Sequence, residues 1–309
     1  MFEGHYHYGL AGLTNSLYSH GFEGSIYAGY KGPLPKWAVD SRENSSLSWP
    51  GARTIEISTG IKIHFLPLLT EYHLTNYKPN FMLQLWDGPA KDADAIIYFD
   101  PDITIKCQWN FFESWLLHGV AIVHEISDND MPPTHPLRKE WEKVIYKCNK
   151  KLTRNLYSYI NGGFCGVSKK HIEFLHVWKD IFETGTKYFK LTPGQWDHTF
   201  NRTYIFYKQD QDALNITAMC SESPISEVGP EGMDLKPGGR IMSHAIGSPK
   251  PWEKKFFLST LNAASPTTAD KTFWLYADGP IKCFTVMTVK RKRLCILISS
   301  FISRFYNRS

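Results

Sequence analysis

The hydrophobic positions of the chain recur with two periods, one typical of helices and the other of strands. In residues 8–20, leucines at positions 10, 13 and 17 predict an amphipathic helix, and Gly21 provides a stop signal after it. Residues 24–30 and two alternating runs within 53–65 predict short strands. The first part of the chain is therefore predicted to mix helix with strand.

Further along, short apolar runs alternate with segments of helical period. The run Ala95–Phe99 is apolar at every position, which is typical of a strand covered on both faces. Residues 120–124 predict a second such strand, and helices are predicted at 81–86, 108–118, 137–150 and 169–182. Alternating strands and helices indicate an α/β fold with a mainly parallel central sheet flanked by helices.

The last residues differ in character, and we predict a division into a main domain, residues 1–285, and a basic amphipathic tail, residues 286–309. Consecutive cations at 290–293 precede an apolar run that is shorter than the ~20 residues of a membrane span. Such a segment is typical of a helix that lies on an anionic membrane surface. A helix docked on the protein core is the alternative interpretation.

Composition narrows the class of protein. Hydrophobic residues make up 42% of the 309 positions and aromatic residues 15%, which excludes a disordered chain. The net charge of +5 does not indicate nucleic-acid binding, so no nucleic-acid partner is predicted. The six cysteines include no CxxC pair, which argues against a zinc site or a disulfide framework. No secretory signal is visible, so a cytoplasmic location is expected.

Two carboxylates stand directly after the apolar run that ends at Phe99. Asp100 and Asp102 are separated by Pro101, and residues two apart in an extended chain point to the same side. The carboxyl ends of strands in open α/β sheets are where ligands bind, and carboxylate oxygens suit Mg²⁺ or Mn²⁺. A solvated Asp-Pro turn is the alternative.

A second candidate stretch, residues 242–252, combines an imidazole, a glycine and a cation. His244 suits Mn²⁺ better than Mg²⁺, and Gly247 would let backbone N–H groups approach a phosphate. Lys250 would neutralise that phosphate. An ordinary loop with a solvated histidine is the alternative.

Residues 161–166 form a glycine-rich stretch before the helix predicted at 169–182. Gly162 and Gly163 permit unusual backbone angles or the close approach of a ligand. The spacing matches neither a P-loop nor a dinucleotide-binding fingerprint, and a glycine-rich bend is the simpler interpretation.

A polar cluster, Asp210, Gln211 and Asp212, precedes a short apolar segment. One of its carboxylates can cap the start of a helix. Alternatively, paired carboxylates and amides can hold the hydroxyl groups of a sugar.

Four motifs stand in a fixed order: YFDPD at 98–102, NGGFCG at 161–166, DQDALN at 210–215 and HAIGSPKPW at 244–252. Together they resemble the GT-A fold glycosyltransferases, and they are most similar to glycosyltransferase family 8 and related nucleotide-diphospho-sugar transferases. The resemblance spans residues 6–252.

The resemblance implies a role for each motif residue. It implies that Mn²⁺, or Mg²⁺, is bound by Asp100, Asp102 and His244. It implies contacts to a nucleotide sugar from Tyr6, Asn161, Gly162, Gly163, Gly247 and Lys250. It implies that Asp210 and Gln211 contact the donor sugar at the catalytic centre.

The resemblance also implies a UDP-hexose donor, transfer with retention of configuration and a catalytic domain at residues 1–285. With the tail, it leads us to expect a glycan or lipid-linked acceptor at the cytoplasmic face of a membrane. The family begins with a strand that carries nucleotide contacts, and residues 1–3 match only its end. We therefore expect the first strand to be missing.

Two other functions remain open. A catalytically impaired protein of the same fold would bind sugar nucleotides without transferring the sugar. A nucleotidyltransferase would need a triphosphate-binding loop near the amino terminus, and no such loop is visible in the sequence.

Overall fold

The computed structural model describes residues 1–127, 131–195 and 204–306 of the chain. The strands are β1 (Phe2–Glu3), β2 (Gly24–Lys31), β3 (Arg42–Glu43), β4 (Arg53–Ser58), β5 (Ile61–Pro67), β6 (Ala95–Phe99), β7 (Ile103–Ile105), β8 (Val120–Val123), β9 (Phe164–Ser168), β10 (Ile225–Val228) and β11 (Met242–His244). The helices are α1 (His7–Ser19), α2 (Lys78–Asp87), α3 (Asn110–Leu116), α4 (Pro136–Lys147), α5 (Glu173–Tyr188), α6 (Gln209–Cys220), α7 (Phe256–Leu261), α8 (Thr268–Tyr276) and α9 (Val286–Tyr306).

The strands form two larger sheets and one short pair. The first sheet has the order β1-β2-β5-β4-β3, in which β1, β2 and β5 are parallel. The second has the order β10-β8-β9-β6, in which β8 and β10 are parallel and the other neighbours antiparallel. Strands β7 and β11 form an antiparallel pair. The predicted α/β class, with parallel strands in the central sheet and helices around it, is confirmed.

Strand β1 supplies only two paired residues to the first sheet. Phe2 pairs with Tyr30 and Glu3 pairs with Lys31, at the carboxyl end of β2. Strand β1 therefore forms the edge of this sheet beside the end of β2.

Alternate residues of β6 pack into different cores, because successive side chains of a strand point to opposite faces. Ile96 packs against the core that α4, α5 and α6 build, whereas Ile97 packs against the core of α1 and α3. In β8, Ile122 and Val123 divide in the same way and are fully buried. The continuous apolar runs thus predict the covered strands correctly.

The glycine-rich stretch was predicted to be a bend that leads into a helix, but in the structure its second half begins a strand. Phe164–Ser168 forms β9, which pairs with both β6 and β8. Helix α5 begins only at Glu173, after a short 3-10 turn. Position 166 of this strand requires glycine, because a Cβ atom there would lie 2.8 Å from the side chain of Leu116 in α3. Close packing between helix and strand explains this glycine.

Asn15 of α1 joins the beginning of the chain to its carboxyl-terminal part. The Asn15 amide donates to the backbone oxygens of Tyr276, at 2.8 Å, and Ile281, at 2.9 Å. Its oxygen accepts from the Ile281 N–H, at 2.9 Å. The side chain is almost completely buried, so these bonds fix α1 against the segment that follows α8.

The predicted tail, apart from residues 307–309, which lie outside the described residues, forms the whole of α9. Val289 and Ile296 of α9 pack into a core with Trp274 of α8 and Phe256 of α7. Other apolar side chains of α9 remain exposed, namely Val286, Met287, Leu294, Leu297, Ile298, Phe301 and Phe305. No helix in the described part of the chain is long and apolar enough to cross a membrane.

Candidate functional site

The two candidate carboxylates lie in a tight turn between two strands. Strand β6 ends at Phe99, and the turn of Asp100, Pro101 and Asp102 leads directly into β7. The Asp100 N–H donates to the backbone oxygen of Gly163 at 2.7 Å, and the Ile103 N–H donates to the Asp100 oxygen at 3.0 Å. The backbone therefore fixes this turn against the glycine-rich loop.

His244 is brought to this turn by the short antiparallel pair. In the register of β7 and β11, His244 lies opposite Ile103, and the Ala245 N–H donates to the backbone oxygen of Asp102 at 3.1 Å. The Nε2 atom of His244 is 3.3 Å from Asp102 Oδ1 and 3.8 Å from Asp100 Oδ2. One ligand atom from each of the three residues lies within 4.8 Å of the others, a geometry that can hold a metal ion.

Lys250 completes the charge balance around Asp102. Its Nζ atom lies 2.5 Å from Asp102 Oδ2 and 2.8 Å from the backbone oxygen of Ala245. Burial alone would raise the pKa of Asp102, but His244 and Lys250 hold that pKa well below its ordinary value. Asp102 is therefore an anion throughout the physiological range of pH.

The imidazole of His244 fits against a residue without a side chain. A Cβ atom at Gly163 would lie 2.4 Å from His244 Cε1, closer than any ordinary contact. The Nδ1 atom of His244 is buried and has no hydrogen-bond partner among the described residues. The ring nitrogen that faces the carboxylates is therefore Nε2, and Gly163 provides the space that the ring needs.

Hydrogen bonds within the protein engage the polar groups of the glycine-rich loop. Asn161 donates to Glu125 Oε2 at 2.7 Å and accepts from the Gly163 N–H at 2.8 Å. The Gly162 N–H donates to Gln211 Oε1 at 2.9 Å. These bonds connect the loop to α6 and to the end of β8.

Lys78 is a residue of the site that sequence reasoning missed. Its Nζ atom donates to Asp210 Oδ2 and to the Gly162 oxygen, both at 2.7 Å, and lies 3.5 Å from Asp100 Oδ1. The side chain is 1% exposed. Although burial alone lowers the pKa of Lys78, Asp100 and Asp210 raise it, so the lysine is a buried cation that joins two motifs.

A signal for Lys78 was present in the sequence. Lys78 lies four residues before Met82 and seven before Leu85, a spacing that places all three on one face of α2. Both apolar residues are buried. A lysine on the apolar face of a helix needs an anionic partner, and this requirement predicts a buried ion pair.

Tyr6 and Gly247 lie at the rim of the site. Tyr6 ends a short 3-10 helix, and its ring centroid is 5.6 Å from Lys250 Nζ. Gly247 lies in an exposed loop between His244 and Lys250 and has a φ of +74°, which favours glycine. Among the described residues, no hydrogen bond connects Gly247 to the rest of the site.

Comparison with known proteins supports the fold. No protein-family model matches the sequence, and a search of curated proteins found no match. A solved apo structure of the bifunctional glycosyltransferase WbbM is similar, with a TM-score of 0.54 and 15% sequence identity. The match covers 95% of this chain and 50% of that chain, so this chain spans about half the length of that protein. At this identity the likeness shows the fold alone.

Proposed function

We propose that this protein is a metal-dependent glycosyltransferase that transfers a hexose from a UDP-sugar to a glycan or lipid-linked acceptor. One observation carries the proposal: Asp100 and Asp102 converge at the end of β6 with His244, which lies 142 positions after Asp102 in the sequence. The likeness in fold to WbbM and the resemblance of the four motifs to family 8 support it.

The proposed metal ligands are Asp100, Asp102 and His244. Two carboxylates with an imidazole suit Mn²⁺ better than Mg²⁺, which prefers oxygen ligands alone. The Nε2 atom of His244, which faces both carboxylates, fits this assignment. Such an ion, when bound, neutralises the charge of a diphosphate and so promotes its departure.

The proposed diphosphate contacts are Lys250 and the loop that precedes it. Lys250 Nζ lies beside Asp102, so it can place a second positive charge next to a metal-bound diphosphate. Gly247 would offer its backbone N–H in the exposed loop, and the partly buried ring of Tyr6 would stack on uracil. Lys250 and the metal ion would both act where negative charge develops on the departing UDP.

The proposed sugar contacts are Asn161, Gly162, Gly163, Asp210 and Gln211. Asp210 is buried and paired with Lys78, so it is not free to act as a nucleophile. A retaining reaction without a protein nucleophile fits this arrangement. In it the bond from the anomeric carbon to UDP breaks, the acceptor oxygen bonds to that carbon, and the departing phosphate accepts the acceptor proton.

The test is Mn²⁺-dependent release of UDP from UDP-hexoses. Asp102→Asn removes a ligand charge, and we expect it to lower turnover roughly 100-fold. Asp92→Asn, which removes an exposed carboxylate before β6, is the matched control and is expected to retain full turnover. Absence of metal-dependent turnover with every UDP-hexose would contradict the proposal.

Calorimetric titration of UDP, together with assays of the released products, distinguishes the three possible functions. Binding of UDP with Mn²⁺ but without turnover would favour the impaired sugar-nucleotide-binding protein. Release of pyrophosphate from a nucleoside triphosphate would favour the nucleotidyltransferase. Binding and turnover that are both lost in Asp102→Asn would support the glycosyltransferase.

We further propose that α9 brings the protein to the cytoplasmic face of a membrane. Helix α7, which packs against α9, also exposes apolar residues, namely Phe257, Leu258 and Leu261. The exposed cations Lys290, Arg291 and Arg304 lie on α9, whereas Lys292 and Arg293 donate to backbone oxygens of the protein. Together they match what binds to anionic lipid headgroups and the acyl chains beneath them.

A further inference from the structure

The carboxyl edge of the second sheet continues from the candidate metal ligands to the ends of β8 and β10. His124 follows β8 directly, and Glu227 is the third residue of β10. The Nε2 atom of His124 lies 2.7 Å from Glu227 Oε1, and Ser158 donates its hydroxyl group to the same oxygen. A polar pair therefore stands at the ends of two parallel strands, where α/β sheets bind ligands.

This pair lies next to the glycine-rich loop that we propose as a contact of the donor sugar. His124 forms an antiparallel bridge with Ile160, two residues before Gly162. The Cα atoms of His124 and Gly162 are therefore roughly 8–9 Å apart, from the spacing across a bridge and along an extended chain. Gln211, another proposed sugar contact, accepts from the Gly162 N–H. A second sugar bound beside the donor sugar can thus touch the pair.

One polar atom of each residue in the pair has no internal partner. No described residue donates to Glu227 Oε2, and none bonds to His124 Nδ1. Because Nε2 of His124 faces a carboxylate, it carries the proton of the neutral ring, and Nδ1 is then an acceptor. The side chains of His124 and Glu227 are 24% and 23% exposed, so a ligand can approach them from solvent.

Glu227 is an anion at neutral pH. Burial alone would raise the pKa of Glu227, but the hydrogen bonds from His124 and Ser158 lower it below its ordinary value. Arg138 acts on this carboxylate only from a distance, because it donates to the backbone oxygens of Met131 and Ser158. A carboxylate with a free oxygen suits hydroxyl donors and disfavours ligands that carry phosphate or carboxylate groups.

The connection between β8 and β10 does not depend on this pair of side chains. Residues Ile225–Val228 pair along their whole length with Val120–Val123, and the His124 N–H donates to the backbone oxygen of Val228 at 3.0 Å. A partly exposed ion pair adds little stability to such a connection. Recognition of a ligand accounts for the two polar atoms that strand pairing leaves unused.

On the basis of the proposed function, we propose that His124 and Glu227 form an acceptor subsite that binds the hydroxyl groups of a neutral sugar. Two hydroxyl groups of that sugar donate to Glu227 Oε2 and His124 Nδ1. The carboxylate excludes uronic acids and sugar phosphates, because like charges repel each other. A further hydroxyl group of the bound sugar then lies on the side of the donor.

The test compares neutral and acidic sugars by saturation-transfer NMR, with UDP and Mg²⁺ present and without any need for turnover. The probes are the methyl β-glycosides of glucose and galactose, each beside the methyl glycoside of its uronic acid. We expect at least one neutral glycoside to bind, and its uronic acid to bind about tenfold more weakly or worse.

Glu227→Gln tests the charge, because its amide oxygen can still accept from Ser158 and His124. We expect this variant to lose the preference for the neutral glycoside. Glu56→Gln, at an exposed position of β4, is the matched control and should keep that preference. His124→Leu keeps the test decisive if Glu227→Gln does not fold, and it should weaken binding of the neutral glycoside about fivefold.

Three results would overturn the acceptor subsite: no binding of either class of sugar, equal binding of both classes to wild type, or wild-type binding in both variants. The glycosyltransferase proposal can fail separately. Selective binding of a neutral glycoside, lost as expected in the variants but without Mn²⁺-dependent turnover of any UDP-hexose, would support a sugar subsite and contradict sugar transfer.

Discussion

At the scale of single residues, the candidate site depends on two buried lysines that each neutralise a carboxylate. Lys250 pairs with Asp102, and Lys78 pairs with Asp210 while it also approaches Asp100. Burial makes each charge costly unless its partner is present. The ion pairs therefore hold the motifs in place and also set the charge of the site.

The first prediction concerns Lys78. Lys78→Met removes the cation but keeps an unbranched side chain only one atom shorter, and it leaves Asp210 buried without its partner. We expect the free energy of unfolding in urea to fall by about 3–5 kcal/mol. The double variant Lys78→Met, Asp210→Asn should recover much of this loss, because no unpaired charge remains. Additive losses in the two single variants would contradict the ion-pair interpretation.

The second prediction concerns Asp212, a buried carboxylate of α6. Burial raises the pKa of Asp212 to about 7, although Tyr159 donates to its Oδ1 at 2.6 Å. The folded protein holds this proton more tightly than the unfolded chain does. The stability that Asp212 contributes is therefore complete below about pH 4 and is lost as the pH rises to about 7.

Asp212→Asn imitates the protonated carboxyl group and should remove this dependence on pH. We expect wild type to lose at most about 4 kcal/mol between pH 4 and pH 8 relative to the variant, measured by urea unfolding. Asp87→Asn, at an exposed position, should keep the wild-type profile. Parallel profiles of Asp212→Asn and wild type would show that Asp212 is ionised throughout.

Residue patterns predict part of this site and miss the rest, for a physical reason. Asp100 and Asp102 follow a strand directly, so local sequence shows that they leave the sheet together. Lys78 is 84 residues from Gly162 and 132 from Asp210, and no local period reports a contact over such separations. Only its place on the apolar face of α2 indicates a buried cation.

At the scale of elements, α1 supports the turn that carries the carboxylates. A Cβ atom at Gly9 would lie 2.4 Å from the backbone oxygen of Pro101, so the helix touches the turn directly. A Cβ atom at Gly12, one turn later, would lie 2.9 Å from the ring of Phe273 and an ordinary 3.9 Å from Thr104 of β7. A substitution at Gly9 therefore tests contact with the turn, whereas a substitution at Gly12 tests packing elsewhere along the same helix.

The third prediction uses this pair of glycines. Both Gly9→Ala and Gly12→Ala should overpack the helix and cost about 1–3 kcal/mol in urea unfolding. Only Gly9→Ala should displace Asp100 and Asp102, and we expect it to weaken Mn²⁺ binding roughly tenfold, measured by calorimetry. Equal Mn²⁺ affinities in the two variants would mean that the turn does not depend on α1.

Hydrophobic periods predict most elements, and glycine explains the main error. Strand β6 and helix α1 were predicted within a residue of their observed bounds, because β6 is an unbroken apolar run that ends at Asp100 and α1 has a clear helical period with a stop signal. Strand β9 was missed because Gly162, Gly163 and Gly166 read as a bend. Their absent side chains make room for His244 and for α3, and contacts of this kind become visible only in three dimensions.

At the scale of the whole molecule, α7 and α9 each expose apolar side chains that the described part of the chain leaves uncovered. Leu297 and Phe301 of α9 are 68% and 60% exposed. An exposed apolar surface flanked by cations is typical of a membrane-contact site. The same helix packs on the core through Val289 and Ile296, so core docking and membrane contact are compatible.

The fourth prediction tests this surface without disturbing the core. Leu297→Ser with Phe301→Ser should reduce sedimentation with phosphatidylcholine vesicles that contain phosphatidylserine, whereas stability should change little because both residues are exposed. Val39→Ser with Leu69→Ser removes two exposed apolar residues elsewhere and is the matched control. Unchanged sedimentation of the α9 variant would exclude α9 as the contact.

The ion pair between Asp102 and Lys250 also imposes an order of events during synthesis. The two residues are 148 positions apart, and a ribosome adds about 5–20 residues per second, so Lys250 is made roughly 7–30 s after Asp102. The interval between the synthesis of Asn15 and that of Ile281 is longer still, because the two residues are 266 positions apart. In the nascent chain, Asp102 is therefore present for many seconds before Lys250 has been translated. Helix α1 is present for longer still before Ile281, which binds Asn15, has been translated.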